Sequence, residues 1–365
     1  MNASLKTALL TIALVCALAS AQAAQAPKPP RQPPAGPGGA EYSHRGVHAT
    51  LADPGPRGYW LFEPAEPRPA EAPLIVFNHG WGAMDPNVYG AWIEHLVRRG
   101  NVVVYPLYQD SLRTPVRDFT PNAAAAVREA IRRLQKEPGH VRPQLAKFAL
   151  VGHSMGGVLS ANLAALSEEE GLPRPRAVMC VQPGKTWARS PQIAVELEDL
   201  GRIPRETLLL AVAGDRDALA RDVDAKRIFE EATAIPLANK DFVILVTDTH
   251  GQPDLLATHS APTAPKPIAP VSSRATTPTD PRRARMLQRV KERRAQEGEL
   301  SVPGRDRLVD ALDFYGTWKL FDGLTDAAFY GKNRDYALGN TVRQRFMGRW
   351  SDGVAVKELT VTDEP

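Results

Sequence analysis

The residues with the clearest potential for covalent chemistry are Gly152-His153-Ser154-Met155-Gly156, followed by Gly157. Lys147 to Val151 before them reads as a short buried strand, and Leu159, Leu163 and Leu166 after them fall at helical spacing. A serine so enclosed is a nucleophile elbow. The turn between strand and helix must be sharp enough to hold the serine in a strained conformation that lifts its hydroxyl above the sheet. Flanking glycines keep side-chain bulk out of the way.

A serine hydroxyl is a poor nucleophile at neutral pH. It needs an adjacent base, and the base needs a carboxylate to fix its tautomer. In elbow proteins the chain order is serine, acid, histidine. For the acid, the strand Thr207 to Ala213 runs into Gly214-Asp215-Arg216-Asp217. Asp217 has turned clear of the strand and is the expected acid, whereas Asp215 is expected to satisfy backbone N–H groups in the turn. Two histidines follow. His250 lies almost directly after the strand Asp241 to Thr247, and His259 lies nine residues on. Nearness to the strand end favours His250. A loop carrying the ring back over Ser154 favours His259, which is the preferred base, with His250 as the alternative. The remaining histidines, 44, 48, 79, 95, 140 and 153, all precede the nucleophile.

Acyl transfer also needs two N–H donors aimed at the developing oxyanion. The backbone N–H of Met155, at the start of the elbow helix, is one candidate. The other is that of Trp81, in the glycine-rich Asn78-His79-Gly80-Trp81-Gly82 after the strand Leu74 to Phe77.

The elements that must position these residues alternate from Leu74 onward. Strands near 74–77, 101–105, 147–151, 177–181, 207–213 and 241–247 are continuously apolar. Helical spacing lies between them, as in Val88, Trp92, Ile93, Leu96 and Val97 or Val127, Ile131 and Leu134. Such alternation predicts an α/β fold with a doubly wound, mostly parallel sheet covered by helices on both faces. Two earlier strands, Gly46 to Leu51 and Tyr59 to Glu63, predict an antiparallel edge at its N-terminal side. Residues 183–206 lack a clear period and are expected to form a small cap over the sheet's carboxyl edge. From Asp306 a helix with Leu308, Val309, Leu312 and Tyr315 on one face is expected to pack back on the sheet.

The flanking segments read differently. Residues 1–23 combine Lys6, an apolar run from Ala8 to Ala19 and Ala21-Gln22-Ala23, and are expected to be a signal peptide cleaved after Ala23. A secreted or periplasmic location follows. Residues 24–43 begin with a Pro/Gly-rich run expected to be a flexible or extended tether. Residues 261–304 are rich in proline and arginine and are expected to be a mobile, solvated insertion, or else a patch that settles on an anionic surface such as lipid headgroups. Residues 44–365 then form a single domain. The tail from Phe329 to Val361 looks ordered and carries no chemistry of its own.

Composition fits a soluble globular chain. Of 365 residues, 43% are apolar and 24% charged, and the net charge of +4 is too small to suggest nucleic acid as the main partner. Once the leader is removed only Cys180 remains, inside an apolar run, so no internal disulfide is expected and the thiol should be buried.

Together the elbow, the Asn78–Gly82 loop and Gly214–Asp217 resemble an α/β-hydrolase. With His259-Ser260-Ala261-Pro262 added, they are also similar to secreted cutinase-like polyester hydrolases. The resemblance covers roughly residues 44–260 and the last helix. It implies carboxylic-ester hydrolysis through an acyl-serine, with Ser154 as nucleophile, Asp217 as acid, His259 as base, Trp81 and Met155 as oxyanion donors, and no metal or organic cofactor. The expected substrate is a small-molecule or lipid ester. A peptidase or amidase on the same residues is the alternative, and a catalytically inactive binding protein of the same fold is a third reading. The chain lacks the closing disulfide of the cutinase-like proteins and adds an insertion and a tail, so action on polymers is not part of the expectation.

Overall fold

Continuous apolar runs form strands with both faces buried, because successive side chains point to opposite sides. In β3 (Glu71–Asn78), Ile75 and Phe77 enter one apolar cluster while Leu74 and Val76 enter another on the opposite face. In β5 (Arg142–His153), Ala149 and Val151 go one way, Phe148 and Leu150 the other. The structure is a computed structural model that describes residues 26–184, 194–269 and 309–365. The expected signal peptide, residues 185–193 of the expected cap and the insertion from 270 onward lie outside the described residues.

Among the described residues the strands form one nine-stranded sheet. The others are β1 (Gly46–Ala52), β2 (Tyr59–Ala65), β4 (Val102–Pro106), β6 (Ala177–Val181), β7 (Leu208–Gly214), β8 (Lys240–Leu245) and β9 (Thr360–Thr362). Their order is β1-β2-β4-β3-β5-β6-β7-β8-β9. The six from β4 to β8 run parallel, β1 and β2 form the antiparallel edge, and β9 adds antiparallel to β8 at the far side.

Helices α1 (Gly90–Arg98) and α5 (Trp318–Tyr330) cover one face. Helices α2 (Phe119–Lys136) and α3 (Met155–Ala165) cover the other, with α4 (Val223–Glu231) near β7 and β8. Every residue of α3 is buried. Cys180 lies in this core, and burial pushes its thiol up to about 12, which leaves it unreactive. No helix among the described residues is long and apolar enough to cross a membrane.

The structure adds detail to several expectations. Residues 194–206 run along α3, where Glu196 and Glu198 use their backbone to bond Asn162 and where Val195, Leu200 and Ile203 are buried. The insertion is packed as far as residue 269: Ala264 exchanges backbone hydrogen bonds with Val88 and Ala91, and Asn87 holds Ile268 and Ala269. The returning helix opens with a π-helical stretch, Leu312–Thr317, before α5. The described part of the Pro-rich segment is extended but docked. Pro27 O accepts Gln252 N–H, Lys28 O accepts Ser351 N–H, and Gly38 N–H donates to Asp322. Proline's fixed φ keeps such a segment extended at little entropic cost, so a few backbone hydrogen bonds suffice to hold it.

Candidate active site

The elbow leaves no spare residue. Strand β5 ends at His153 and α3 begins at Met155, so Ser154 alone makes the turn, at φ 57°, ψ −125°. A non-glycine residue at positive φ is costly and persists only where its surroundings enforce it. Ser154 N–H donates to Val181 O at 3.0 Å and Gly157 N–H to Ser154 O at 2.9 Å. The glycines allow the close packing: a Cβ on Gly156 would fall 2.0 Å from Asn78 O, and one on Gly152 would fall 2.1 Å from Gly156 O.

Asp217, His259 and Ser154 come together from three loops at the carboxyl ends of the parallel strands. His259 Nδ1–H donates to Asp217 Oδ2 at 2.8 Å, and Ser154 Oγ–H donates to His259 Nε2 at 2.9 Å. These three residues are only 4–5% exposed. The other oxygen of Asp217 accepts Leu219 N–H at 2.9 Å and Ala220 N–H at 2.8 Å, which fixes the orientation of the carboxylate. Asp215 instead takes the N–H and the hydroxyl of Thr247.

His250, the alternative base, faces elsewhere. Its Nε2 meets Asp352 at 2.7 Å and its ring lies against Trp350. The physical reason lies in Asp248, whose carboxylate accepts the His250 N–H, the Trp350 indole N–H and the Lys357 N–H. Burial alone would raise the Asp248 carboxyl, but these hydrogen bonds hold it below the usual range. The first stretch after β8 is therefore a clamp on the C-terminal tail, and only the later stretch returns to Ser154.

The loop after β3 lies against Ser154. A Cβ on Gly80 would be 3.4 Å from Ser154 Cβ, and Trp81 follows, partly buried against the α2–α3 side of the core. Met155 is the first residue of α3, where a backbone N–H has no partner within the helix. His79 is fully buried between the rings of Tyr105 and Tyr108, at 5.1 and 4.1 Å. Burial lowers its pKa to about 4, the carbonyls of Gly80 and Leu107 opposing only in part.

Three side chains escaped the sequence reading. His153 bonds the backbone carbonyl of His259 and the hydroxyl of Tyr89. Gln182, at φ 44° after β6, donates to Thr258 O at 2.8 Å. His153 was visible inside the elbow motif, set aside because its place in the chain excludes it as the base. Tyr89 and Gln182 carry no motif, and only the fold brings them near.

The comparisons agree with this architecture. Residues 75–229, from β3 through the elbow to α4, match a family model described as alpha/beta hydrolase fold. No curated protein matches the chain. The narrower likeness to cutinase-like polyester hydrolases draws no support from either finding. A mostly parallel sheet with a serine elbow at its carboxyl edge, and that match across its centre, give the chain an α/β-hydrolase fold.

Proposed function

We propose that the protein is a serine hydrolase that cleaves carboxylic esters through an acyl-serine intermediate. The observation that carries the reading is the continuous hydrogen-bonded line from Asp217 through His259 to Ser154, ending on a nucleophile with a strained backbone.

Each step follows from that line. Ser154 Oγ attacks the ester carbonyl carbon while His259 Nε2 takes the hydroxyl proton. Asp217 holds the opposite N–H, fixing the tautomer and stabilising the imidazolium as it forms. Negative charge moves onto the carbonyl oxygen, toward the backbone N–H groups of Met155 and Trp81. Loss of one such donor typically costs roughly 3 kcal/mol of transition-state stabilisation. The imidazolium then returns its proton to the leaving alkoxide. Water, deprotonated by the same histidine, releases the carboxylic acid and restores Ser154.

The test is labelling by a fluorophosphonate, read by mass spectrometry, with turnover of p-nitrophenyl esters on the same sample. Label on Ser154, lost in Ser154→Ala, is the expected result. Asp217→Asn should lower kcat by roughly 10³- to 10⁴-fold, while Asp215→Asn spares it. A folded protein that neither labels nor turns over any ester would overturn the proposal.

A further inference from the structure

We infer that Tyr89 and His153 are positioning residues that lock the loop of the base to the loop of the oxyanion donor. The inference rests on the serine-hydrolase reading above.

The hydrogen-bond chain has one consistent direction. His153 Nε2 lies 2.8 Å from the backbone oxygen of His259. A carbonyl oxygen can only accept, so Nε2 carries the proton. In the neutral ring Nδ1 is then a lone pair, and the Tyr89 hydroxyl at 2.9 Å must donate to it. That hydroxyl in turn accepts Gly80 N–H at 3.1 Å. The sequence runs from Gly80 N–H to Tyr89 O–H to His153 to the carbonyl of His259.

Its ends identify what it controls. Gly80 precedes Trp81, the proposed oxyanion donor, and His259 is the proposed base. The rings of His153 and His259 also touch, with centroids 4.8 Å apart. Gln182 holds the carbonyl just before, Thr258 O, so two consecutive carbonyls of the base loop are gripped from the ends of β5 and β6. Tyr89 and His153 are buried, so solvent does not compete for these bonds. A histidine loop gripped in this way keeps its Nε2 at the 2.9 Å seen to Ser154 Oγ, and misplacement by about 1 Å can cost roughly 100-fold in rate.

Three variants separate positioning from simple packing. Tyr89→Phe removes one hydroxyl and keeps the ring, which packs on Phe77 at 5.0 Å. His153→Leu removes both polar atoms, and His153→Gln keeps an N–H donor within reach of His259 O. Tyr89→Phe and His153→Leu should each lower kcat on a p-nitrophenyl ester by about 10- to 100-fold with KM nearly unchanged, and slow fluorophosphonate labelling in parallel. His153→Gln should recover most of the loss, and Tyr89→Phe should add little in the His153→Leu background. Nitrogen-15 NMR of the histidines should find His153 protonated on Nε2 in the parent, with its Nδ1 signal shifted in Tyr89→Phe as that lone pair loses the donated hydroxyl.

Unchanged kcat in Tyr89→Phe and His153→Leu, with only the melting temperature lowered, would overturn the inference. A parent with His153 protonated on Nδ1 would do the same. If the parent itself fails to label at Ser154, the hydrolase reading is what fails, and the tautomer measured on the same sample still decides the hydrogen-bond chain.

Discussion

His79 stands directly after β3, in the loop proposed to supply an oxyanion donor, yet its ring is enclosed by Tyr105 and Tyr108 and its pKa is lowered to about 4 by burial. In the unfolded chain the same ring titrates near 6.5. Between these values the unfolded state binds the proton and the folded state does not. Stability is therefore complete above about pH 6.5 and declines as the pH falls toward 4. At about 1.4 kcal/mol per unit, the loss by pH 5 is about 2 kcal/mol. Chemical denaturation of the parent and of His79→Asn at pH 7 and pH 5 checks this, because only the parent should show that extra decline. At this scale the sequence was most informative about Ser154 and Asp217: one is fixed by flanking glycines, the other by a strand that runs straight into it. It favoured His259 over His250 by only a narrow margin, because both follow β8 at plausible distances. What divides them is Asp248, whose partners Trp350 and Lys357 lie about a hundred residues further along the chain.

The same loop is the clearest case at the scale of elements. Residues 246–259 perform two tasks in series, first holding the tail and then carrying His259, the proposed base, back to Ser154. Asp248 accepts N–H groups from Trp350, Lys357 and His250, and its backbone pairs with Leu255 in both directions. Asp248→Ala would leave buried donors without acceptors, a loss of about 2–4 kcal/mol in unfolding free energy by denaturant titration. His250→Ala removes a side chain that meets the exposed Asp352 and the ring of Trp350, and should change ester turnover less than about twofold. A large kcat loss in His250→Ala would show that the tail clamp also sets the base. The parallel strands were legible because each is a short, unbroken apolar run. Strand β9 was not, since three residues at an edge, Thr360–Thr362, carry no period, and pairing with β8 alone defines them.

Across the whole molecule, the N-terminal segment joins parts that are remote in sequence. Composition pointed to a tether, but composition does not record where backbone groups find partners. Near its start, Lys28 pairs with Ser351 of the tail and Pro27 with Gln252 of the clamp loop. Ten residues on, Gly38 N–H donates at 2.7 Å to Asp322, a buried carboxylate of α5 that also bonds His95 of α1 and lies beside Arg99, the residue capping α1. Two glycines test whether this strap is fixed or loosely draped. Gly36 and Gly38 share the left-handed region, at φ 79° and 76°, so either alanine variant costs roughly 1 kcal/mol in the backbone. Their surroundings differ. A Cβ at Gly36 meets nothing within 4 Å, whereas one at Gly38 would lie 1.9 Å from the carbonyl oxygen of Phe314. Gly36→Ala should therefore cost about 1 kcal/mol and leave the strap in place. Gly38→Ala must lift it, break the bond to Asp322 and cost about 2 kcal/mol more, since a buried carboxylate loses a donor. Hydrogen exchange provides the decisive reading: in Gly38→Ala the amides of Lys28, Gln252 and Ser351 should exchange faster together, although Gln252 and Ser351 are remote from the substitution in sequence. Equal costs for the two variants, with exchange at those three amides unchanged, would mean that the strap bends locally and that its two ends are held independently.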